Sequence, residues 1–124
     1  MRPSIKHLNK DAEFHIPEGC HIIEQSNSLD DPDLSIARAR VAPGVTTRWH
    51  RLTDTIERYY ILQGAGLMEV GNQPPSPVSA GDMVIIPPLC PQRITNSGQD
   101  DLIFLAICSP RFRDEAYEEM GSPP

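Results

Sequence analysis

Short runs rich in apolar and β-branched residues recur along the chain, and glycine, proline, asparagine or aspartate separate them. Such runs, bounded by turn residues, are typical of β-strands. The pattern predicts eight strands, over residues 20–25, 34–41, 46–50, 56–62, 66–70, 83–86, 92–95 and 102–108. Short strands at this regular spacing predict an all-β sandwich or barrel.

One segment has a helical pattern instead. In residues 111–120, Phe112, Ala116 and Met120 are four residues apart and acidic residues occupy the positions around them. This spacing places the three side chains on one helix face and predicts a short docking helix at the C-terminus. With 124 residues, 13 prolines and 8 glycines, the chain is expected to form a single β domain over residues 1–124.

Charge and cysteine content exclude several classes of function. A formal charge of −6 argues against a surface for nucleic acid or anionic membranes, since both require clustered lysine and arginine. Cys20, Cys90 and Cys108 are odd in number and lack C-x-x-C spacing, so we expect reduced thiols. No apolar stretch resembles a signal peptide or membrane helix. A cytoplasmic protein is the expectation.

The first stretch with candidate chemistry runs from Gly44 to Gly64. It reads G-V-T-T-R-W-H-R-L-T-D-T-I-E, followed by six residues and the second glycine. The spacing resembles the first cupin motif, G-x5-H-x-H-x(3,4)-E-x6-G. His50 and Glu57 match its first histidine and its glutamate, while Leu52 stands at the position of its second histidine.

The second stretch runs from Gly81 to Asn96 and reads G-D-M-V-I-I-P-P-L-C-P-Q-R-I-T-N. It resembles the second cupin motif, G-x5-P-x-G-x2-H-x3-N, with Leu89 at the position of the glycine and Gln92 at that of the histidine. The resemblance covers about residues 34–108, the expected barrel core. It implies a double-stranded β-helix, the jelly-roll barrel of cupins, which are often homodimers.

The resemblance also implies a divalent metal, because many cupins hold one at these motif positions. His50 and Glu57 would supply an imidazole nitrogen and a carboxylate oxygen, and Gln92 a neutral carbonyl oxygen that binds more weakly. The three residues are therefore the candidate metal ligands, for an ion of unknown identity. The alternative is that they only hydrogen-bond with one another, as buried polar groups must.

Strand geometry agrees with this grouping, because alternate side chains share a face. If His50 points inward, Arg48 shares its face, Glu57 and Tyr59 share the inner face of the next strand, and Gln92 lies on that of a later strand. Glu57 is a candidate general acid or base, or only an ion-pair partner. Arg48 is a candidate clamp for an anionic group, or a strand-end salt bridge. Tyr59 is a candidate hydrogen-bond donor, or a packing residue.

Two functions follow from these residues. The first is a metal-dependent enzyme similar to the mannose-6-phosphate-isomerase-like cupins, acting on a small polar metabolite as an isomerase, lyase or oxygenase. The second is a binding protein without metal or catalysis, favoured by the residues at positions 52 and 92. A scaffold has little support, because a scaffold has no need for the motif residues His50 and Glu57. Either way the expected partners are a small-molecule ligand and a second copy of the chain.

Overall fold

Antiparallel pairing organises the chain into two β-sheets. The computed structural model describes residues 1–123. One sheet has the strand order β1-β2-β3-β10-β5-β8, and the other has the order β11-β4-β9-β6-β7. The strands are β1 Phe14–Ile16, β2 Cys20–Ser26, β3 Ser35–Val41, β4 His50–Leu52, β5 Ile56–Gln63, β6 Ala65–Val70, β7 Ser76–Ser79, β8 Met83–Ile86, β9 Gln92–Asn96, β10 Leu102–Ser109 and β11 Tyr117–Glu119.

The core lies between the two sheets and follows from the alternation of side chains along the strands. In β5, Glu57, Tyr59 and Ile61 are buried, whereas the intervening residues reach further toward solvent. Gln92 and Ile94 of β9 are buried in the same way. The all-β prediction and the predicted inner faces of these two strands are therefore confirmed.

The prediction of a strand over residues 46–50 was wrong, because β4 begins only at His50. Before it, Thr47 binds β9 through its own side chain: its hydroxyl oxygen accepts from the amide of Ile94 at 3.0 Å. The Thr47 amide still donates to the Ile94 carbonyl oxygen at 2.9 Å, so the hydroxyl replaces one backbone acceptor, and regular pairing is limited to an isolated bridge. As a result Thr46 and Arg48 are exposed and do not share the buried face of His50.

The prediction of a C-terminal helix over residues 111–120 was also wrong. Asp114–Ala116 form a single 3-10 turn, and the chain then extends as β11. β11 pairs with β4, with Tyr117 opposite Leu52, and Ala116 is buried against the barrel. Pairing with an available strand edge outweighs the weak helix preference of this segment. Strands β1 and β7 were not predicted either; β7 contains a proline, which an edge strand tolerates.

Leu89 has a backbone conformation that usually requires glycine. Its φ angle is +66°, in the left-handed region that glycine enters without steric cost. The glycine of the second cupin motif occupies this position. Here the turn keeps its shape with a leucine, and the Leu89 amide donates to the Leu52 carbonyl oxygen at 2.7 Å.

The outer faces of β5 and β8 expose four apolar side chains on neighbouring strands, Tyr60, Leu62, Met83 and Ile85. The homodimer stays a prediction. No helix within residues 1–123 is long and apolar enough to cross a membrane.

Candidate functional site

Glu57 and Gln92 join the two sheets at one end of the barrel. Glu57 lies on β5 and Gln92 on β9, and the Gln92 Nε2 donates a hydrogen bond to Glu57 Oε1. Gln92 has no exposed surface and Glu57 is 8% exposed, so water does not compete strongly for this bond. The structure thus brings together two residues that are 35 positions apart in the sequence.

His50 lies beside this pair, because it is the direct cross-strand neighbour of Gln92. Its Nδ1 is 2.7 Å from the Arg48 carbonyl oxygen, which can only accept, so Nδ1 carries a proton. Its Nε2 is 3.1 Å from Glu18 Oε1, and the ring stacks on Tyr117 with centroids 5.1 Å apart. Both nitrogens and one face of the buried imidazole are therefore occupied.

Glu18 is a site residue that the sequence did not reveal. It lies in the turn between β1 and β2, and the amide of Arg48 donates to its carbonyl oxygen at 2.8 Å, which fixes the turn against the loop before β4. Its carboxylate also accepts from the Cys20 thiol at 3.3 Å. No motif surrounds this glutamate, so only the tertiary contact identifies it.

A cavity of about 360 Å³ opens at this end of the barrel. Glu57, Tyr59, Glu18 and Arg48 all line it, whereas His50 and Gln92 lie behind its wall. Most of the other lining side chains are apolar, which is the usual composition of a small-ligand site. They include Ile16, Ile22, Ala37, Ala39, Ala106, Phe104 and Tyr117.

Burial, followed by the charge of the nearby Glu18 carboxylate, raises the pKa of the Glu57 carboxyl to about 8. Hydrogen bonds from Gln92 and Cys108 act in the opposite direction, since they stabilise the ionised form. The burial effect is larger. Glu57 therefore carries a proton at neutral pH and faces the cavity as a carboxylic acid.

Tyr59 is buried, and its ring lies 4.2 Å from that of Phe104, centroid to centroid. Burial, together with the surrounding acidic groups, raises its pKa well above the usual 10. It therefore stays a neutral phenol. Because Tyr59 both packs in the core and lines the cavity, the packing role and the donor role predicted for it are compatible.

Arg48 lies at the rim of the cavity, with half of its side chain exposed. Its guanidinium contacts the Glu119 carboxylate at 3.2 Å. This is the salt bridge that was one of the two roles predicted for Arg48. An anionic ligand would have to compete with Glu119, so the clamp role stays a prediction that the geometry does not favour.

A divalent ion needs free lone pairs on the donor atoms of His50, Glu57 and Gln92. His50 Nδ1 is protonated, His50 Nε2 faces Glu18, and Glu57 Oε1 accepts from Gln92. Within residues 1–123, no three histidine, cysteine, aspartate or glutamate side chains are grouped to hold a metal. Arranged in this way, the predicted ligands do not fit a resident metal ion.

Comparison with known proteins agrees with the fold. The chain is 38% identical to an uncharacterized protein, MJ1618, of Methanocaldococcus jannaschii, over 68% of this chain and 66% of that protein. It is 32% identical to a glucose-6-phosphate isomerase of Thermococcus onnurineus, over 70% of this chain and 51% of that enzyme. The chain thus spans between half and two thirds of the length of these relatives.

Among solved structures, KdgF from Halomonas sp. superposes with a TM-score of 0.72 at 20% identity, over 83% of this chain and 90% of that one. This similarity concerns the fold alone. The family described as the cupin domain matches residues 37–108, which is more than half of the sequence. With two facing antiparallel sheets and this match, the chain belongs to the cupin family.

Proposed function

We propose that this cupin is an enzyme that transfers a proton from Glu57 to an oxygen atom of a small molecule bound in the cavity. The observation that carries the proposal is the burial of the Glu57 carboxyl at the cavity wall, which raises its pKa to about 8. An acid with a pKa near the working pH is suited to this role, because it is both protonated and able to release its proton.

The neighbours of Glu57 support proton release. As its O–H bond breaks, a new O–H bond forms on the ligand, and a carboxylate remains in the wall. Gln92 Nε2 and the Cys108 thiol, 3.9 Å from Glu57 Oε2, can donate to that carboxylate. Gln92 is thereby assigned the stabilisation of the conjugate base, and Tyr59 is assigned the donation of a hydrogen bond to the ligand.

Glu18 is assigned the complementary role of proton acceptor. Its carboxylate lines the same cavity and is oriented by His50 Nε2. Two carboxyl groups in different environments can divide the acid and base steps between them. Isomerases of the mannose-6-phosphate-isomerase-like type and lyases both need such a pair, so these two reaction classes are the ones that we propose.

Glu57→Gln tests the acid directly, because it keeps the shape of the protonated carboxyl but cannot release a proton. With a panel of hydroxylated and carbonyl compounds, we expect products of water loss or isomerisation from the wild type, detected by mass spectrometry. The variant should lower that rate at least about 100-fold. Glu118→Gln, an exposed acid paired with Arg51, is the matched control and should leave the rate unchanged. Full activity in Glu57→Gln would exclude Glu57 as the acid.

A metal-dependent enzyme is the second candidate, and one observation favours it. Gln92 Oε1 is a buried acceptor that has no hydrogen-bond partner within the described residues. Such an atom has lost its hydration without compensation, and a cation would satisfy it. Metal binding would require Glu57 and His50 to give up their present contacts.

Metal content and the variant Gln92→His separate the two candidates. We expect the wild type, purified without chelator, to hold less than about 0.1 equivalent of transition metal, since free donors are too few. Gln92→His should raise occupancy, because it adds an imidazole next to His50. The exposed Gln73→His is the control for surface binding. Stoichiometric metal in the wild type would contradict the present arrangement and support the second candidate.

A further inference from the structure

Aromatic side chains are concentrated around the cavity. The chain has three phenylalanines, three tyrosines and one tryptophan, and five of these seven residues line this one space. They come from both ends of the chain and from the barrel. The five are Phe14, Tyr59, Phe104, Phe112 and Tyr117. A cavity lined in this way accepts a flat or apolar body, and aromatic faces attract cations.

The charged groups around the cavity are unbalanced. One guanidinium, that of Arg48, faces five carboxyl groups, those of Glu18, Glu24, Glu57, Asp114 and Glu119. Three of these five already have a contact or carry a proton: Glu18 contacts His50, Glu119 contacts Arg48, and Glu57 is protonated. The imbalance therefore rests on the remaining two, Glu24 and Asp114.

Glu24 and Asp114 lie on the same side of the cavity, and both are exposed enough to meet an incoming ligand. Neither has a lysine, arginine or histidine partner within 4 Å in the part of the chain that the structure describes. Both also line an adjoining depression together with Arg111 and Arg113. The Arg113 guanidinium pairs with Asp54, whereas that of Arg111 donates to the neutral amide oxygen of Asn27 and keeps its charge. The Asp114 charge, after burial, raises the pKa of Glu24, as expected for two nearby like charges.

We infer that the cavity binds an organic cation, with an ammonium group between Glu24 and Asp114 and an apolar ring or chain against the aromatic side chains. The carboxylates supply the charge that an ammonium needs, and the aromatic faces strengthen its binding. The same groups repel anions such as carboxylates and phosphates. The inference rests on the proposed function only in that both use the same cavity.

Three probes with the same ring and different charge test the inference by calorimetric titration: benzyltrimethylammonium, benzyl alcohol and benzoate. We expect the cation to bind about tenfold more tightly than the alcohol, the effect of a cation–π contact aided by charge. Benzoate should bind more weakly than the alcohol. Equal affinities for the three probes, tighter binding of benzoate, or no binding of the cation at about 10 mM would overturn the inference.

Substitutions of Glu24 and Asp114 test whether these two carboxylates cause the preference for the cation. The double substitution Glu24→Gln, Asp114→Asn should reduce the affinity for benzyltrimethylammonium about fivefold or more and leave that for benzyl alcohol unchanged. Glu115→Gln, the exposed acid next to Asp114 that does not line the cavity, is the matched control and should change neither affinity. An unchanged preference in the double variant would contradict the assignment of Glu24 and Asp114.

Glu57→Gln distinguishes this inference from the proposed function. It should remove proton transfer but keep the preference for the cation, since Glu57 is already neutral at pH 7. If the charge preference is absent while Glu57→Gln abolishes activity, only the inference fails. If the preference is present while Glu57→Gln stays active, only the proposed acid fails.

Discussion

Glu57→Gln is expected to make the protein more stable at alkaline pH and to flatten the dependence of its stability on pH. Burial raises the pKa of this carboxyl from 4.5 to about 8. In the unfolded chain the same carboxyl ionises near its ordinary value. The folded state must therefore either keep a proton that the unfolded state releases or hold a buried charge, and glutamine avoids both.

The sign of this pH dependence follows from the pKa of Glu57 in the folded and in the unfolded state. Below pH 4.5 the carboxyl is protonated in both states and has no effect on the free energy of unfolding. Between pH 4.5 and about 8 only the unfolded state loses its proton, so stability falls as the pH rises. Above that window the loss is complete and is about 5 kcal/mol at 1.4 kcal/mol per pKa unit.

Urea unfolding of the wild type and Glu57→Gln at a series of pH values measures this effect. The difference between the two free energies of unfolding should increase through the window, because contributions from all other groups cancel. Glu118→Gln, which removes an exposed carboxyl paired with Arg51, should show no comparable trend. Parallel curves for wild type and Glu57→Gln would mean that Glu57 ionises normally and would remove the basis of its acid role.

His50→Leu is expected to lower the free energy of unfolding by about 3 kcal/mol, because two acceptor groups lose their contact with the buried imidazole. These are the Arg48 carbonyl oxygen, 2.7 Å from Nδ1, and the Glu18 carboxylate, 3.1 Å from Nε2. Leucine has a similar volume, so loss of packing is a smaller part of the effect. His15→Leu, at an exposed position, should change stability by less than about 0.5 kcal/mol.

A double-mutant cycle isolates the contact between His50 and Glu18. Glu18→Gln alone should destabilise the protein, but in the His50→Leu background it should cost much less, since the contact between the carboxylate and His50 is already absent there. We expect a coupling energy of about 1 to 2 kcal/mol from urea unfolding. Additive effects would show that Glu18 does not depend on His50, and Glu18 would then lose its assigned orientation as proton acceptor.

The centre of the site could be predicted from the sequence because it obeys a local rule. Once the strands were placed, the two-residue period put Glu57 and Tyr59 on the inner face of one strand and Gln92 on that of another. The same rule failed at Arg48, because the Thr47 hydroxyl takes the place of a backbone acceptor and the strand β4 starts only at His50.

The remaining site residues depend on contacts that no local pattern encodes. Glu18 reaches His50 only because the turn after β1 is fixed to the loop before β4. Tyr117 stacks on the same ring only because the C-terminal segment pairs with β4, whereas its own spacing favours a helix. Pairing between distant segments is determined by the whole fold, which a single sequence does not reveal.

The origin of the cavity walls has a consequence for how such proteins diverge. The family match covers residues 37–108, yet more than half of the lining residues lie outside it, before Ala37 or after Cys108. The matched region provides Glu57 and Tyr59, while the segments before and after it provide all four other acids and three of the five aromatic side chains. Mutations in these terminal segments can exchange one ligand for another without disturbing the core. Relatives that align well across the barrel can therefore differ entirely in what they bind.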